Sequence, residues 1–324
     1  MWRKGEPIGV LGLGSIGLRH ARNLIKLGQQ VIGFDPNLER RHLLEQAGGG
    51  TTTERKDVLG CAALVIASPP GQHLQDLAEA VALGHSCLIE KPIAHTDQGL
   101  QQILDHADSA GLIVYVGFML RFHACVTQAK QALESGEIGR PLWARFLASA
   151  YLPSWRPYQD YRNGYAADPA TGGVLFDDIH EIDLATYLLG RASLSGAAVS
   201  NSQTLGLASE DVAQLILSHQ GGHISTIHLD YCSRPARREV EIMGTLGSLR
   251  LDLIARRLQM IDLDGRIVTD ATLPGSFDQD YEEEMRSYLA CLEGKALPPC
   301  DGRGAAEVLD IVLRARRLCS LPVL

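Results

Sequence analysis

The stretch that decides the fold is Ile8-Gly9-Val10-Leu11-Gly12-Leu13-Gly14-Ser15-Ile16-Gly17. The apolar run Ile8–Leu11 predicts a buried strand, and the apolar spacing from Ile16 to Leu27 predicts the helix after it. Between them stands a G-x-G-x-x-G turn. Gly12 permits the tight bend, Gly14 lets backbone approach a pyrophosphate, and Gly17 lets helix and strand pack closely, so that amides at the helix start face an anion. A second strand, Val31–Phe34, is closed by Asp35, 18 residues beyond Gly17. A carboxylate at that point accepts from both ribose hydroxyls and repels a 2′-phosphate. Gly12, Gly14, Ser15, Ile16, Gly17 and Asp35 are therefore candidate ligands of NAD, while Arg40 and Arg41 stand close enough in sequence to keep NADP open.

The same rhythm continues. Short apolar runs at Leu64–Ala67, Cys87–Ile89 and Leu112–Val116 alternate with helical patterns at Leu38–Ala47, Leu74–Leu83 and Leu100–Ala110, which specifies a parallel sheet covered by helices. From about Leu142 strand-like runs follow one another without helices between them, at Leu142–Ala150, Val212–Leu217, Ile224–Tyr231, Val240–Met243, Ser248–Ile254 and Leu258–Leu263. That spacing suits an antiparallel sheet. One helical segment, Thr171–Gly190, interrupts it, and two more, Tyr281–Leu292 and Ala305–Cys319, close the chain. The expected class is α/β: a parallel-sheet domain over residues 1–120, then an α+β domain with a large, mostly antiparallel sheet over 121–324, its last helices free to pack back on the first domain.

Composition narrows the function. A chain of 324 residues with 45% apolar content has material for two cores. Its net charge of −8 offers no broad basic surface, so nucleic acid and anionic lipid are poor partners. No apolar stretch reaches the ~18 residues of a spanning helix, and the first strand begins too early to leave room for a signal core, so a cytoplasmic location is expected. Seven scattered cysteines without a CxxC pair suggest free thiols. His219, His223 and Cys232 hint at a metal, but Gly221-Gly222 spell a hairpin turn and no further ligand is placed to complete a tetrahedron; none is expected. The arginines 314, 316 and 317 suggest a solvated helix end stabilised by the macrodipole.

The unusual residues fall at the carboxyl ends of the parallel strands, the edge where such sheets bind ligands. Ser68-Pro69-Pro70 follows the third predicted strand, Glu90-Lys91-Pro92 the fourth, and Gly117–Phe122 the fifth. An ammonium at Lys91 could stabilise a developing alkoxide and relay its proton. In the second domain Asp177, His180 and Asp183 fall near one face of the expected helix, where a carboxylate can fix an imidazole as general acid or base; the alternative is a pair of acids at a helix start beside a solvated histidine.

The GLGSIG turn, the Glu90-Lys91-Pro92 motif, the Gly117–Phe122 junction and Gly172-Gly173 before an acidic, histidine-bearing helix resemble the Gfo/Idh/MocA oxidoreductases over essentially the whole chain. The resemblance implies a Rossmann domain, a nicotinamide cofactor, a homodimer or homotetramer formed through an open sheet face, and a cis Lys91–Pro92 bond. It assigns Lys91 and His180 to hydride transfer and favours Asp177 as the orienting carboxylate, in a DxxH arrangement, since Phe176 stands where many members carry the acid of DxxxH. Ser68, Pro69, His73, Glu90, Lys91, Trp155 and Arg156 are the remaining expected cofactor contacts. Lys91, Arg121, Tyr161, Asp177 and His180 are the expected contacts of a small polyhydroxylated substrate: a sugar, sugar derivative or cyclitol. Two other activities occur under the same resemblance, an NAD-retaining glycosidase or lyase with transient oxidation and a non-catalytic dinucleotide-binding regulator; the presence of both Lys91 and His180 argues against the second.

Overall fold

Ile8–Leu11 forms β1, buried along its whole length in the middle of a six-stranded sheet. The computed structural model describes residues 2–155 and 160–323. The chain divides into two units, Met1–Met119 with Phe277–Leu309, and Leu120–Ser276 with Asp310–Leu324.

In the first unit β1 is followed by α1 (Ser15–Lys26), β2 (Val31–Phe34), α2 (Leu38–Gln46), β3 (Gly50–Thr52), α3 (Arg55–Leu59), β4 (Ala63–Ile66), α4 (His73–Ala82), β5 (Ser86–Glu90), α5 (Leu100–Ser109) and β6 (Val114–Gly117). The strands are all parallel, in the order β3-β2-β1-β4-β5-β6. The direction of winding reverses between β1 and β4, so the chain leaves a crevice at their carboxyl ends, beside the glycine turn. Asn37 starts α2 by accepting from the amides of Glu39 and Arg40, a cap worth about 1 kcal/mol. The β3–α3 pair escapes the sequence pattern because three half-polar residues and five helical ones are too short to show a period.

The second unit contains α6 (Ala124–Glu134), β7 (Pro141–Ser149), α7 (Val174–Asp177), α8 (His180–Leu189), β8 (Ala192–Ser200), β9 (Val212–His219), β10 (Ile224–Asp230), β11 (Arg237–Gly244), β12 (Gly247–Asp252), β13 (Arg257–Asp262) and β14 (Ile267–Thr272). Its sheet runs β14-β13-β12-β11-β7-β10-β9-β8, antiparallel except for β7 beside β10. One face is apolar, with Leu215, Leu217, Ile227, Leu229, Val240 and Ile242 buried, and helix α8 lies against β7 and β10. The other face is charged and exposed, with Arg145, Arg237 and Arg250 paired to Glu241 and Glu239.

The chain ends with α9 (Phe277–Leu292), in the first unit, and α10 (Gly302–Leu318), which the division cuts after Leu309. One expectation is corrected here. The segment Thr171–Gly190 holds two helices, because Asp178, at φ −94° and ψ 32°, leaves helical geometry between α7 and α8. No helix among the described residues is long and apolar enough to cross a membrane.

Candidate active site

The turn after β1 has the geometry its glycines require. Gly12 is at φ +85°, and a Cβ there would lie 2.5 Å from the Ala67 carbonyl oxygen. A Cβ on Gly17 would lie 1.9 Å from the Gly12 carbonyl oxygen, so α1 can approach β1 this closely only over glycine. At Gly14 an added Cβ would meet nothing nearer than Arg40 Nη1 at 4.0 Å. The space over the start of α1, where Ser15 is exposed and Ile16 half-buried, is therefore open to an anion. Asp35 is buried at the end of β2; one carboxylate oxygen accepts from the Leu13 amide and the other from the Asn37 amide, both at 2.9 Å. Oδ1, with one donor, keeps a lone pair for another. Arg40 Nη1 lies 3.4 Å from Asp35 Oδ2. An open glycine cradle beside a fixed carboxylate fits a dinucleotide.

The loops after β4 and β5 are tied together. The Ser68 hydroxyl donates to Asp76, Pro69 is exposed, and His73, the first residue of α4, sits between the main-chain oxygens of Pro92 and Ser68. His73 is thus buried against backbone. Glu90 ends β5 with Oε1 2.6 Å from His20 Nε2, while its Oε2 accepts from the Lys91 amide at 3.2 Å. Burial pushes the Glu90 carboxyl up, but the bond to His20, the His20 charge and Lys91 outweigh it, and the net direction is down. Gly117 leaves room for this carboxylate, since a Cβ there would come within 3.1 Å of Glu90 Oε1. Lys91 is half-buried and its bond to Pro92 is cis, as the resemblance implied.

His20, Glu90 and Glu284 of α9 are the one trio of potential metal ligands among the described residues, all within 4.8 Å of one another. The 2.6 Å between His20 and Glu90 is a hydrogen-bond separation, shorter than the ~3.3 Å that two tetrahedral ligands ~2.0 Å from one ion would keep. His219 and His223 stack at 4.8 Å and bond through ring nitrogens to the carbonyls of Gly190 and Leu189, which close α8.

In the second unit Asp177 ends α7, buried. Tyr165 donates to one of its carboxylate oxygens and Tyr231 to the other, the latter at 3.0 Å. Burial, then the Asp177 charge, push the Tyr231 hydroxyl well above its ordinary range, so it stays a donor. Asp178 turns instead to Arg238, which also holds Glu181 at 2.9 Å. Asp183 is gripped by Arg121 through two bonds of 3.0 and 2.6 Å, with the guanidinium 4.6 Å from the centre of the Tyr187 ring. The acids expected on one helix face are buried and divided among separate partners, and the helix breaks between Asp177 and His180. His180 itself opens α8 and is 8% exposed.

A cavity of about 40 Å³ lies between Leu152, Trp155, Tyr161, Gly164, Tyr165, Ala166 and Asp177. Trp155 is exposed and meets Tyr231 edge-on at 5.6 Å, and Tyr161 spends its hydroxyl on the Leu205 carbonyl, leaving its ring to the cavity. Arg156 lies outside the described residues. Tyr231 had no signal in the sequence, since nothing in the spacing joins it to an acid 54 residues away.

Arg316 overturns the expectation of a solvated helix end. It is fully buried, in an ion pair with Glu210 at 3.1 Å, and it donates to the carbonyls of Pro169 and Gly172 just ahead of α7. Burial pushes both partners against ionisation, Glu210 up and Arg316 down, and their mutual attraction opposes it.

Two family profiles match the chain: "Oxidoreductase family, NAD-binding Rossmann fold" over residues 7–118, and "GFO/IDH/MocA C-terminal domain" over residues 126–250. Among characterised proteins the chain is similar to a D-apiose dehydrogenase of Paraburkholderia graminis, 28% identical over 76% of this chain and 68% of that protein. It is also similar to a scyllo-inositol 2-dehydrogenase (NAD(+)) of Bacillus subtilis, 24% identical over 94% of this chain and 92% of the other. Among solved structures an oxidoreductase from Agrobacterium radiobacter, in complex with NAD+, L-tartaric acid and magnesium, shares the fold with a TM-score of 0.85 at 20% identity, over 98% of this chain and 97% of that one.

Proposed function

The chain belongs to the GFO/IDH/MocA family of NAD-binding oxidoreductases, and from that premise we propose that it interconverts a secondary alcohol and a ketone on a sugar, sugar derivative or cyclitol. The observation that carries this reading is the presence, in one chain, of an open glycine cradle with Asp35 and an aromatic cavity that ends on Asp177, three residues before His180. The similar dehydrogenases act, by their names, on D-apiose and scyllo-inositol, polyhydroxylated molecules of this kind.

Gly12, Gly14, Ser15, Ile16, Gly17 and Asp35 would hold the dinucleotide; when bound, its nicotinamide accepts or supplies the hydride. His180 removes the proton of the substrate hydroxyl, Lys91 stabilises the oxygen as negative charge develops, and Asp177 orients the acid–base group. The two tyrosines fix Asp177 in turn, so that its carboxylate keeps one direction through the reaction. Arg121 and Tyr161 act at the substrate end as a fixed frame, their polar atoms bonded to Asp183 and Leu205. Asp35 favours NAD, and Arg40 beside it is the group a 2′-phosphate would meet. Self-association belongs on the exposed, charged face of the eight-stranded sheet, where opposite charges alternate and two copies can complement each other. Seven thiols without a disulfide support a reducing, cytoplasmic compartment.

The test is absorbance-monitored reduction of NAD by the purified protein over a panel of inositols, pentoses, hexoses, uronates and nucleotide sugars, with Lys91→Ala and His180→Ala alongside. Turnover of one class, lost in both variants, is the expected result. Undiminished turnover in both variants would sink the assignment. Product without net NADH would point to a retained cofactor and an elimination reaction.

A further inference from the structure

His73 joins the two loops that border the ligand edge of the first unit. It is 1% exposed, with Nδ1 2.7 Å from the Pro92 oxygen and Nε2 3.0 Å from the Ser68 oxygen. A carbonyl oxygen only accepts, so each contact calls for an N–H on the ring. The Nδ1–H tautomer makes the Pro92 bond, the Nε2–H tautomer makes the Ser68 bond, and only the imidazolium makes both.

Two carboxylates face the ring. Asp76, on its own helix, is bonded to the Ser68 hydroxyl and to Arg55; Glu90, at the end of β5, is bonded to His20 and adjoins Lys91. Burial pushes the ring below the ordinary histidine value, and the two carbonyls with Glu90 and Asp76 pull it back only in part. The neutral ring keeps the shorter bond, to Pro92, and the bond to Ser68 fills as the pH falls. His95, from the loop after β5, ties the same two loops through Nδ1 and the Pro70 oxygen at 3.2 Å.

Resting on the assignment of Lys91 above, we propose that His73 is a positioning residue with two separable ties: through Pro92 it fixes the turn that carries Lys91, and through Ser68 it fixes the neighbouring loop on the cofactor side. Asparagine and glutamine separate the ties, because the amide nitrogen of an asparagine side chain at this position would stand near the place of Nδ1, and that of a glutamine near the place of Nε2.

The experiment uses the whole protein as His73→Ala, His73→Asn and His73→Gln. NADH affinity is read by fluorescence, and kcat and KM on the substrate the panel identifies. On the acid side, where both bonds are filled, His73→Ala loses roughly tenfold in kcat and in NADH affinity, about one hydrogen bond each; at neutral pH, where only the Pro92 bond is made, kcat alone falls. His73→Asn restores kcat but not NADH affinity; His73→Gln restores NADH affinity but not kcat. KM for the alcohol stays within about threefold throughout, well below the effect of a lost bond. Equal losses in the Asn and Gln variants would overturn the proposal, since they would report the packing of a buried ring. Lys91→Met keeps the two assignments apart: if it leaves turnover unchanged, the role of Lys91 falls, while the split in NADH affinity still tests the Ser68 tie. If the substitutions unfold the protein, the 15N spectrum of the wild-type His73 ring decides. A protonated Nδ1 at neutral pH, joined by a protonated Nε2 on acidification, supports the two ties, and an unprotonated Nδ1 at neutral pH refutes them.

Discussion

Replacing Arg316 by methionine would remove a cation from a fully buried polar site of the second unit. The guanidinium is fully buried; it donates to both oxygens of Glu210 at 3.1 and 3.2 Å, to the Gly172 carbonyl at 3.4 Å and to the Pro322 carbonyl at 3.0 Å. It also lies 4.7 Å from the centre of the Phe176 ring. Methionine keeps much of the stem's volume, so the change is chiefly electrical. It leaves the Glu210 carboxylate, 2% exposed, without its cation. Removing one partner of a buried pair costs about 3–5 kcal/mol, a large share of the ~5–15 kcal/mol that holds a domain folded. The pH dependence identifies the cause. Burial pushes the Glu210 carboxyl up and Arg316 holds it down, so the variant raises its folded value further above the unfolded one. The native state then binds the extra proton, and the variant's deficit is largest near neutral pH and shrinks as pH falls towards ~4.5. Urea unfolding of Arg316→Met, Glu210→Gln and the double variant at pH 7.5 and pH 5 measures it. The double variant is expected to lose less than the two singles together. A deficit below about 1 kcal/mol at pH 7.5, or one unchanged at pH 5, would refute the buried ion pair, because a lost charge partner must show both.

Two further predictions concern the first unit's acid and the second unit's histidines. Asp35→Ser removes the carboxylate that selects against a 2′-phosphate and releases Arg40; NADH affinity should fall by about tenfold or more while NADPH affinity rises, and fluorescence titrations that show no change in the ratio would contradict the assignment. Burial pushes the His219 imidazole down and its stacked neighbour His223 adds to this, against the pull of the Gly190 carbonyl. Its stabilising share is therefore present above the unfolded value near 6.5 and is lost as pH falls through the folded value. His219→Asn, which keeps a donor for Gly190 and cannot titrate, should flatten the fall in Tm between pH 7 and pH 5; an unchanged slope would show that His219 takes no part in it.

What was legible in the sequence is what folds locally. The cradle at Gly12, Gly14 and Gly17 and the strand–helix alternation are written within a few residues of each other, because a turn and its flanking elements answer to the same short-range sterics. The second unit is held by distant pairings: Asp177 with Tyr231 across 54 residues, Asp183 with Arg121 across 62, Glu210 with Arg316 across 106. No period carries such information, and β8, whose Gly196-Ala197-Ala198 has little β propensity, is a strand only because β9 pairs with it. Yet Arg316 had a local signal. It stands four residues after Val312 and seven after Leu309, both buried, whereas the side chain of Arg314 on the same helix is 59% exposed. A cation on the apolar stripe of a helix must meet a buried anion or backbone oxygens, since an unpaired charge there would cost more than the helix gains by docking. The periodicity thus foretells that a partner exists; only the fold names it as Glu210, and so links the last helix to the loop ahead of Asp177.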